Sequence, residues 1–296
     1  MQITANGIAL EFDAQGPEDG APLILIRGLG SQMIHWSIAL IEALADAVHR
    51  VIRFDNRDVG RSQRCPAPGV RATARDILAQ AGEGMLPAPA YMLEDMARDV
   101  VGLMDALEIE RAHVLGISMG GAIAQVLALE HGARLLSATI VMSACRPLAG
   151  AAAPDRLSAL LARPMDEAAY VEAWVEEHRA HGSPGYPMPE AEIRAEARLA
   201  HARGYDAEGI NRQLLAVAAA PGRCAALRRV AVPCLVIHGA DDALIPPEAG
   251  QEIAAHIPAA AYVELPGMGH IITPALAPTF AKVVTGFLGG VQSPRL

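Results

Sequence analysis

Gly116-Ile117-Ser118-Met119-Gly120 is preceded by His113-Val114-Leu115 and followed by Gly121-Ala122-Ile123-Ala124-Gln125-Val126-Leu127-Ala128-Leu129. The first flank is a short apolar run that reads as a buried strand, and the second reads as a helix with small residues in its opening turn. A sharp strand-to-helix turn strains the residue at its tip and brings strand and helix almost into contact. The positions two before and two after the tip must then lack bulk, and both are glycine. Such a turn lifts the Ser118 hydroxyl clear of a sheet. A serine hydroxyl is a poor nucleophile until a base takes its proton, so the pentapeptide directs attention to a histidine and an acid downstream.

Outward from this turn, strand and helix signals alternate. Ile8 to Phe12 reads as a strand, and Leu23-Ile24-Leu25-Ile26 as one covered on both faces. Trp36 to Val48 reads as a helix and Val51 to Asp55 as the next strand, while residues 64 to 90 read as irregular with one helical turn. Leu93, Met96, Val100, Leu103, Met104 and Leu107 repeat at helical spacing. A strand at Ala138 to Met142 closes this half. From 146 to 222 no strand is evident. Leu157, Leu160 and Leu161, then Tyr170, Trp174 and Val175, then Glu190 to Arg203 carry helical patterns. Alternation resumes with strands at Cys234 to His238 and Ala261 to Leu265, and helices at Pro247 to His256 and Leu276 to Phe287. Helices between buried strands imply a largely parallel, doubly wound sheet. The expected division is a core of 1–145 and 223–296 with a helical lid, 146–222, above the carboxyl edge of the sheet, where ligands bind in such folds.

Downstream of the insertion, His270 lies in Pro266-Gly267-Met268-Gly269-His270, just after a strand, where two glycines free the loop to turn back toward Ser118. His256 falls inside a helix and His238 at a strand end. The turn after the preceding strand reads His238-Gly239-Ala240-Asp241-Asp242. Asp242 is the expected acid. Asp241 is the alternative, and the carboxylate not used would form the turn or cap a helix. The acid orients the imidazole and stabilises its protonated form. An oxyanion needs two aimed N–H groups. Met119 supplies one, and Leu29, in Arg27-Gly28-Leu29-Gly30-Ser31, supplies the other, with Gly28 and Gly30 allowing the backbone close to a substrate.

The 296 residues carry a net charge of -9, which argues against nucleic acid or an anionic membrane as the main partner. No apolar run is long enough to span a bilayer, and the start has no basic-then-apolar leader pattern. Cys65, Cys145, Cys224 and Cys234 lack metal-binding spacing and read as free thiols, the state expected in a cytoplasm. A homodimer stays open, with no residue arguing for it.

Taken together, the Arg27–Gly30 loop, Asp55-Asn56-Arg57-Asp58-Val59-Gly60-Arg61-Ser62, the Ser118 turn, the Asp242 turn and the His270 loop resemble the α/β-hydrolase fold superfamily. The similarity is greatest to aclacinomycin methyl esterase-like bacterial carboxylesterases. The resemblance implies a mostly parallel eight-stranded sheet with flanking helices, an inserted helical lid, and hydrolysis of a small or medium carboxylic ester without a cofactor. Two positions depart from many relatives. Arg27 replaces a histidine, either supporting the loop or placing a charge near substrate. Asp58 replaces a glycine and, with Arg57 and Arg61, is expected to form a structural ion-pair cluster.

His35, Trp174 and Met268 join Gly28 as candidate pocket residues. Tyr170 and Trp174 share a helix face that either packs on the core or roofs the pocket. Met33, Met119 and Met268 are expected near the site. A lactone, a carbon–carbon bond or perhydrolysis would use the same three side chains, and a non-catalytic ligand-binding protein is the reading from another class. Serine at 118 argues against haloalkane and epoxide chemistry, where relatives carry a carboxylate.

Overall fold

The Leu23–Ile26 run lies in β3 (Ala21–Ile26), hydrogen-bonded between parallel β4 (His49–Phe54) and β5 (Ala112–Ile117). Both faces of such a strand are covered. Leu23 and Leu25 face a cluster with Leu40, Leu44, Phe280 and Val284, whereas Ile24 and Ile26 face one with Met96, Val100, Ile123 and Ile253. The first cluster is completed by α1 (Ile38–Asp46) and α9 (Ala277–Gly290), the second by α3 (Leu93–Ala106), α4 (Met119–Glu130) and α8 (Pro247–His256).

A computed structural model of the chain describes residues 1–67, 73–148 and 166–291. The remaining strands are β1 (Gln2–Ala5), β2 (Ile8–Gln15), β6 (Leu135–Val141), β7 (Cys234–Gly239) and β8 (Ala261–Leu265). The eight strands run in the order β1-β2-β4-β3-β5-β6-β7-β8. Only the β1–β2 and β2–β4 pairs are antiparallel. Strand order reverses between β3 and β5, so their carboxyl ends diverge and leave a crevice there. The expected mostly parallel, eight-stranded α/β sheet is the one observed.

Three described α-helices lie between β6 and β7: α5 (Glu167–His181), α6 (Glu190–Gly204) and α7 (Ala207–Ala219). Tyr170, Trp174 and Val175 of α5 pack on Ile193, Ala197 and Ala200 of α6 in a small separate cluster. Helix α7 packs Leu214 and Leu215 against Ile77 of α2 (Ala74–Glu83) and Leu244. Buried charges make the other ties. Arg203 of α6 donates to Asp55 at 2.7 Å, and Arg212 of α7 grips Asp58 with two bonds of 2.9 and 2.8 Å.

Several expectations need correction. Residues 64–90 contain the ten-residue α2, begun by a Thr73–Asp76 capping box and ended by Gly84. Helix α7 and edge strand β1 were not among the elements expected from sequence. The pattern at Leu157, Leu160 and Leu161 lies outside the described residues. Asp58, Arg57 and Arg61 do not form one cluster. Asp58 pairs with Arg212 and accepts from Tyr91, Arg57 pairs with Asp99, and the Arg61 N–H donates to Asp55. Two of the four thiols are not free either. Cys145 and Cys224 form a disulfide, their Cα atoms 5.0 Å apart. The chain leaves β6 and returns toward β7 side by side there, with the Arg223 N–H donating to the Cys145 carbonyl. Cys65 and Cys234 are free, so the expectation of four free thiols holds for these two only. Among the described residues no helix is long and apolar enough to cross a membrane.

Candidate active site

Ser118 occupies the tip between β5 and α4 with φ 53° and ψ −118°, a conformation that L-residues rarely adopt. The surroundings hold it there. Its N–H donates to the Val141 carbonyl at 2.9 Å, and its own carbonyl accepts from the Ser143 hydroxyl at 2.9 Å. The glycines are required by contact. A Cβ on Gly116 would stand 2.0 Å from the Gly120 carbonyl oxygen, and one on Gly120 would stand 2.2 Å from that of Ile26.

The loop after β8 brings His270 to this tip. Its Nε2 is 3.1 Å from Ser118 Oγ and its Nδ1 is 2.7 Å from Asp242 Oδ2. An ionised carboxylate only accepts, so Nδ1 carries the proton and Nε2 presents its lone pair to the serine hydroxyl. Asp242, not Asp241, makes this contact. The other Asp242 oxygen accepts from the N–H groups of Leu244 and Ile245, both at 2.9 Å. Burial alone would raise the Asp242 pKa. The His270 charge, hydrogen bonds from His238 and His270, and the Ile245 N–H outweigh it and hold the carboxyl well below its usual range. Asp241 forms the turn, its N–H donating to the Met268 carbonyl and its carboxylate accepting from the Gly267 N–H.

The helices between β6 and β7 support this histidine loop directly. The His270 N–H donates to the His181 carbonyl at 2.8 Å, Ser183 Oγ accepts from the Gly269 N–H, and Thr273 Oγ1 donates to the Tyr186 carbonyl. None of these partners has a sequence signal of its own. Ser143 is likewise silent in sequence. The same holds for His238, a buried residue whose Nε2 faces the Ile245 carbonyl at 3.0 Å and Asp242 at 3.5 Å.

Across the crevice, the Arg27–Ser31 loop closes against Ser118. A Cβ on Gly28 would stand 3.1 Å from Ser118 Cβ, so the backbone approaches as the sequence implied. Met119 N–H opens α4, where the first turn leaves donors without helical acceptors. Arg27 donates to the His35 carbonyl at 3.3 Å, and its guanidinium lies 4.8 Å from the Trp36 ring centre. Burial pulls its pKa down to about 10, against the opposing effect of Glu196 and Glu177. It supports the loop and also lines the cavity.

One cavity reaches Ser118 and His270, and its lining includes Gly28, Leu29, His35, Met119 and Trp174. Its apolar side is built by residues such as Ile117, Met142, Leu214 and Val217, and its polar side by Arg27, Glu177, His178 and Glu196. Trp174 therefore roofs the cavity, its ring 4.6 Å from that of His35, while Tyr170 packs behind it. Met268 is a correction. It is fully buried among Leu115, Ile117 and Ile237 beneath the loop and does not line the cavity. Gly267, just before it, takes a left-handed φ of 77°. Met33, also buried, is not a lining residue.

A family model described as the alpha/beta hydrolase fold matches residues 21–273. The chain is similar to rhodomycin D methylesterase DnrP of Streptomyces peucetius, 28% identical over 95% of both chains. It is also similar to the putative carbamate hydrolase RutD of Variovorax paradoxus, 29% identical over 96% of this chain and 98% of that one. Among solved structures, the enol-lactonase of Burkholderia xenovorans superposes with a TM-score of 0.73 at 26% identity, covering 98% of this chain and 100% of the other.

Proposed function

Because the chain belongs to the alpha/beta hydrolase fold family, we propose that it hydrolyses a carboxylic ester of a small or medium apolar molecule through an acyl-enzyme. The observation that carries this reading is the hydrogen-bonded chain from Ser118 Oγ through His270 to Asp242. Ser118 attacks the ester carbonyl as His270 Nε2 takes its proton. Asp242 fixes the imidazole tautomer and stabilises the imidazolium. The N–H groups of Leu29 and Met119 hold the developing oxyanion. His270 protonates the departing alkoxide, then activates water against the acyl group on Ser118.

Within the expected lid of residues 146–222, helices α5, α6 and α7 cover the site. Trp174 and His35 bound the substrate on its roof, and Gly28 admits it to the nucleophile. A methylesterase and an enol-lactonase among the relatives support an oxygen ester as substrate, and a lactone is an internal ester that the same atoms would open.

The test is a graded panel of 4-nitrophenyl esters, with simple lactones added, assayed with the wild type and Ser118→Ala. Turnover that falls by about 10⁴-fold or more in the variant supports the reading. Turnover that survives in Ser118→Ala, or no turnover of any ester or lactone by the wild type, contradicts it.

A further inference from the structure

The loop that carries Leu29 is held by a residue 183 positions away in sequence. Gly28 to Ser31 is a tight turn closed by the Ser31 N–H donating to the Gly28 carbonyl at 3.2 Å, with Gly30 at φ +66°. The successive peptide groups from Arg27 to Gly30 have different fates. The carbonyl of the Arg27–Gly28 peptide accepts from Asn56 Nδ2 at 3.1 Å. The N–H of the Leu29–Gly30 peptide donates to Gln213 Oε1 at 2.9 Å. Between these lies the Gly28–Leu29 peptide, whose carbonyl accepts from the Ser31 N–H within the turn and whose N–H is that of Leu29.

Gln213 is fully buried on α7, and its Nε2 donates to the Arg57 carbonyl at 2.7 Å. Its amide is therefore fixed at both ends and cannot rotate away from Gly30. Ile210, one turn earlier on α7, packs so closely that a Cβ on Gly30 would stand 3.2 Å from it. Arg212 anchors the same helix through its two bonds to Asp58.

We propose that Gln213 is a positioning residue for the oxyanion hole: by holding the Gly30 N–H it sets the plane of the turn, and so aims the Leu29 N–H at the oxygen that develops on the ester. This rests on the ester-hydrolase reading above. It adds that the hole is completed from the helical insertion and not by the sheet alone. It also gives the Gly30 N–H a partner other than the substrate, leaving Leu29 as the donor on this side.

The experiment compares wild type with Gln213→Met, which keeps the shape and loses both hydrogen bonds, and Gln213→Glu, which keeps an acceptor for Gly30. Steady-state kinetics on a 4-nitrophenyl ester is paired with affinity for a trifluoromethyl ketone, whose Ser118 adduct places an alkoxide in the hole. Gln213→Met is expected to lower kcat by about 10- to 100-fold with KM within about twofold. Affinity for the ketone should fall by the same factor as kcat/KM, and Gln213→Glu should recover most of the loss. If Gln213→Met does not fold, Gln213→Asn withdraws the amide by one methylene and carries the same test. An unchanged kcat, or a loss that appears in KM and melting temperature without the matching loss of ketone affinity, overturns the proposal. A wild type inert toward every ester removes the hydrolase reading itself, an outcome distinct from an active wild type with an indifferent Gln213 variant.

Discussion

The sheet and the helical insertion are held together by different forces. In the sheet, β3, β5 and β7 bury mostly apolar residues between two large hydrophobic clusters. The insertion has a small cluster of its own around Tyr170 and Trp174 and is tied to the sheet by buried polar contacts: Arg203 to Asp55, Arg212 to Asp58, Gln213 to Gly30, and the His181 carbonyl to the His270 N–H. Apolar packing is tolerant of direction. A hydrogen bond or a bidentate ion pair is not. The seam between the two regions is also where the oxyanion loop and the His270 loop lie. The molecule uses nondirectional burial to build its platform and directional bonds where two loops must be aimed.

The contrast can be broken most strongly at Arg212. Arg212→Met leaves Asp58 buried with its charge uncompensated, and such a loss costs about 3–5 kcal/mol. Chemical denaturation should show that cost, with the loss felt first at the insertion as early exposure of Trp174 fluorescence. A variant as stable as wild type would mean that the ion pair merely sits between regions held by other contacts.

The disulfide sharpens the same contrast. Cys145 and Cys224 close the neck of the insertion across a separation of 79 residues. A cross-link of that span restricts the unfolded chain, an effect of about 2–5 kcal/mol. Cys145→Ser should lower the denaturation midpoint, and a reductant should lower that of the wild type but not of the variant. Equal midpoints for wild type and variant in the absence of reductant would show that the cross-link contributes nothing.

The sheet contains a pH-sensitive site. His113, on β5, is buried beside His49 with its Nδ1 2.7 Å from Ser137 Oγ. Burial first, then the charges of His49 and Arg111, pull its pKa down to about 4. A histidine whose pKa is lowered by folding binds its proton more readily when unfolded. Stability is therefore full above the unfolded value, near 6.5, and declines as pH falls toward 4. The decline attributable to this residue is about 2–3 kcal/mol. His113→Gln should flatten the fall in melting temperature between pH 6.5 and 4. An unchanged slope would assign the acid sensitivity elsewhere.

What could be read from sequence follows the same division. Leu23–Ile26 and Cys234–His238 announce buried strands because burial on both faces demands an uninterrupted apolar run. Pro247–His256 and Ala261–Leu265 coincide with α8 and β8 to the residue. Ser118, His270 and Asp242 were legible because each stands in a local setting, a glycine-flanked tip or a turn after a strand, that its geometry requires. Helix α7 was not read, and its first half places Gly209, Asn211, Arg212 and Gln213 beside the apolar Ile210 and Leu214. Three of these four polar or small positions face the sheet domain in the structure: Gly209 against Asp58, Arg212 on Asp58, and Gln213 on Gly30. A residue whose partner lies 150 or more positions away carries no local mark. The same holds for the disulfide and for Ser183. Met268 failed in the opposite way: its sequence neighbourhood is that of the active loop, but its side chain points into the core.

The most direct measurement is to mix the protein with a 4-nitrophenyl ester, quench within the first turnovers, and map the acyl group by mass spectrometry of the digested chain. The account predicts a covalent acyl increment on the peptide containing Ser118, appearing with a burst of 4-nitrophenol and disappearing as substrate is exhausted. Ester turnover with the acyl group on another side chain, or turnover that persists in Ser118→Ala, would contradict it.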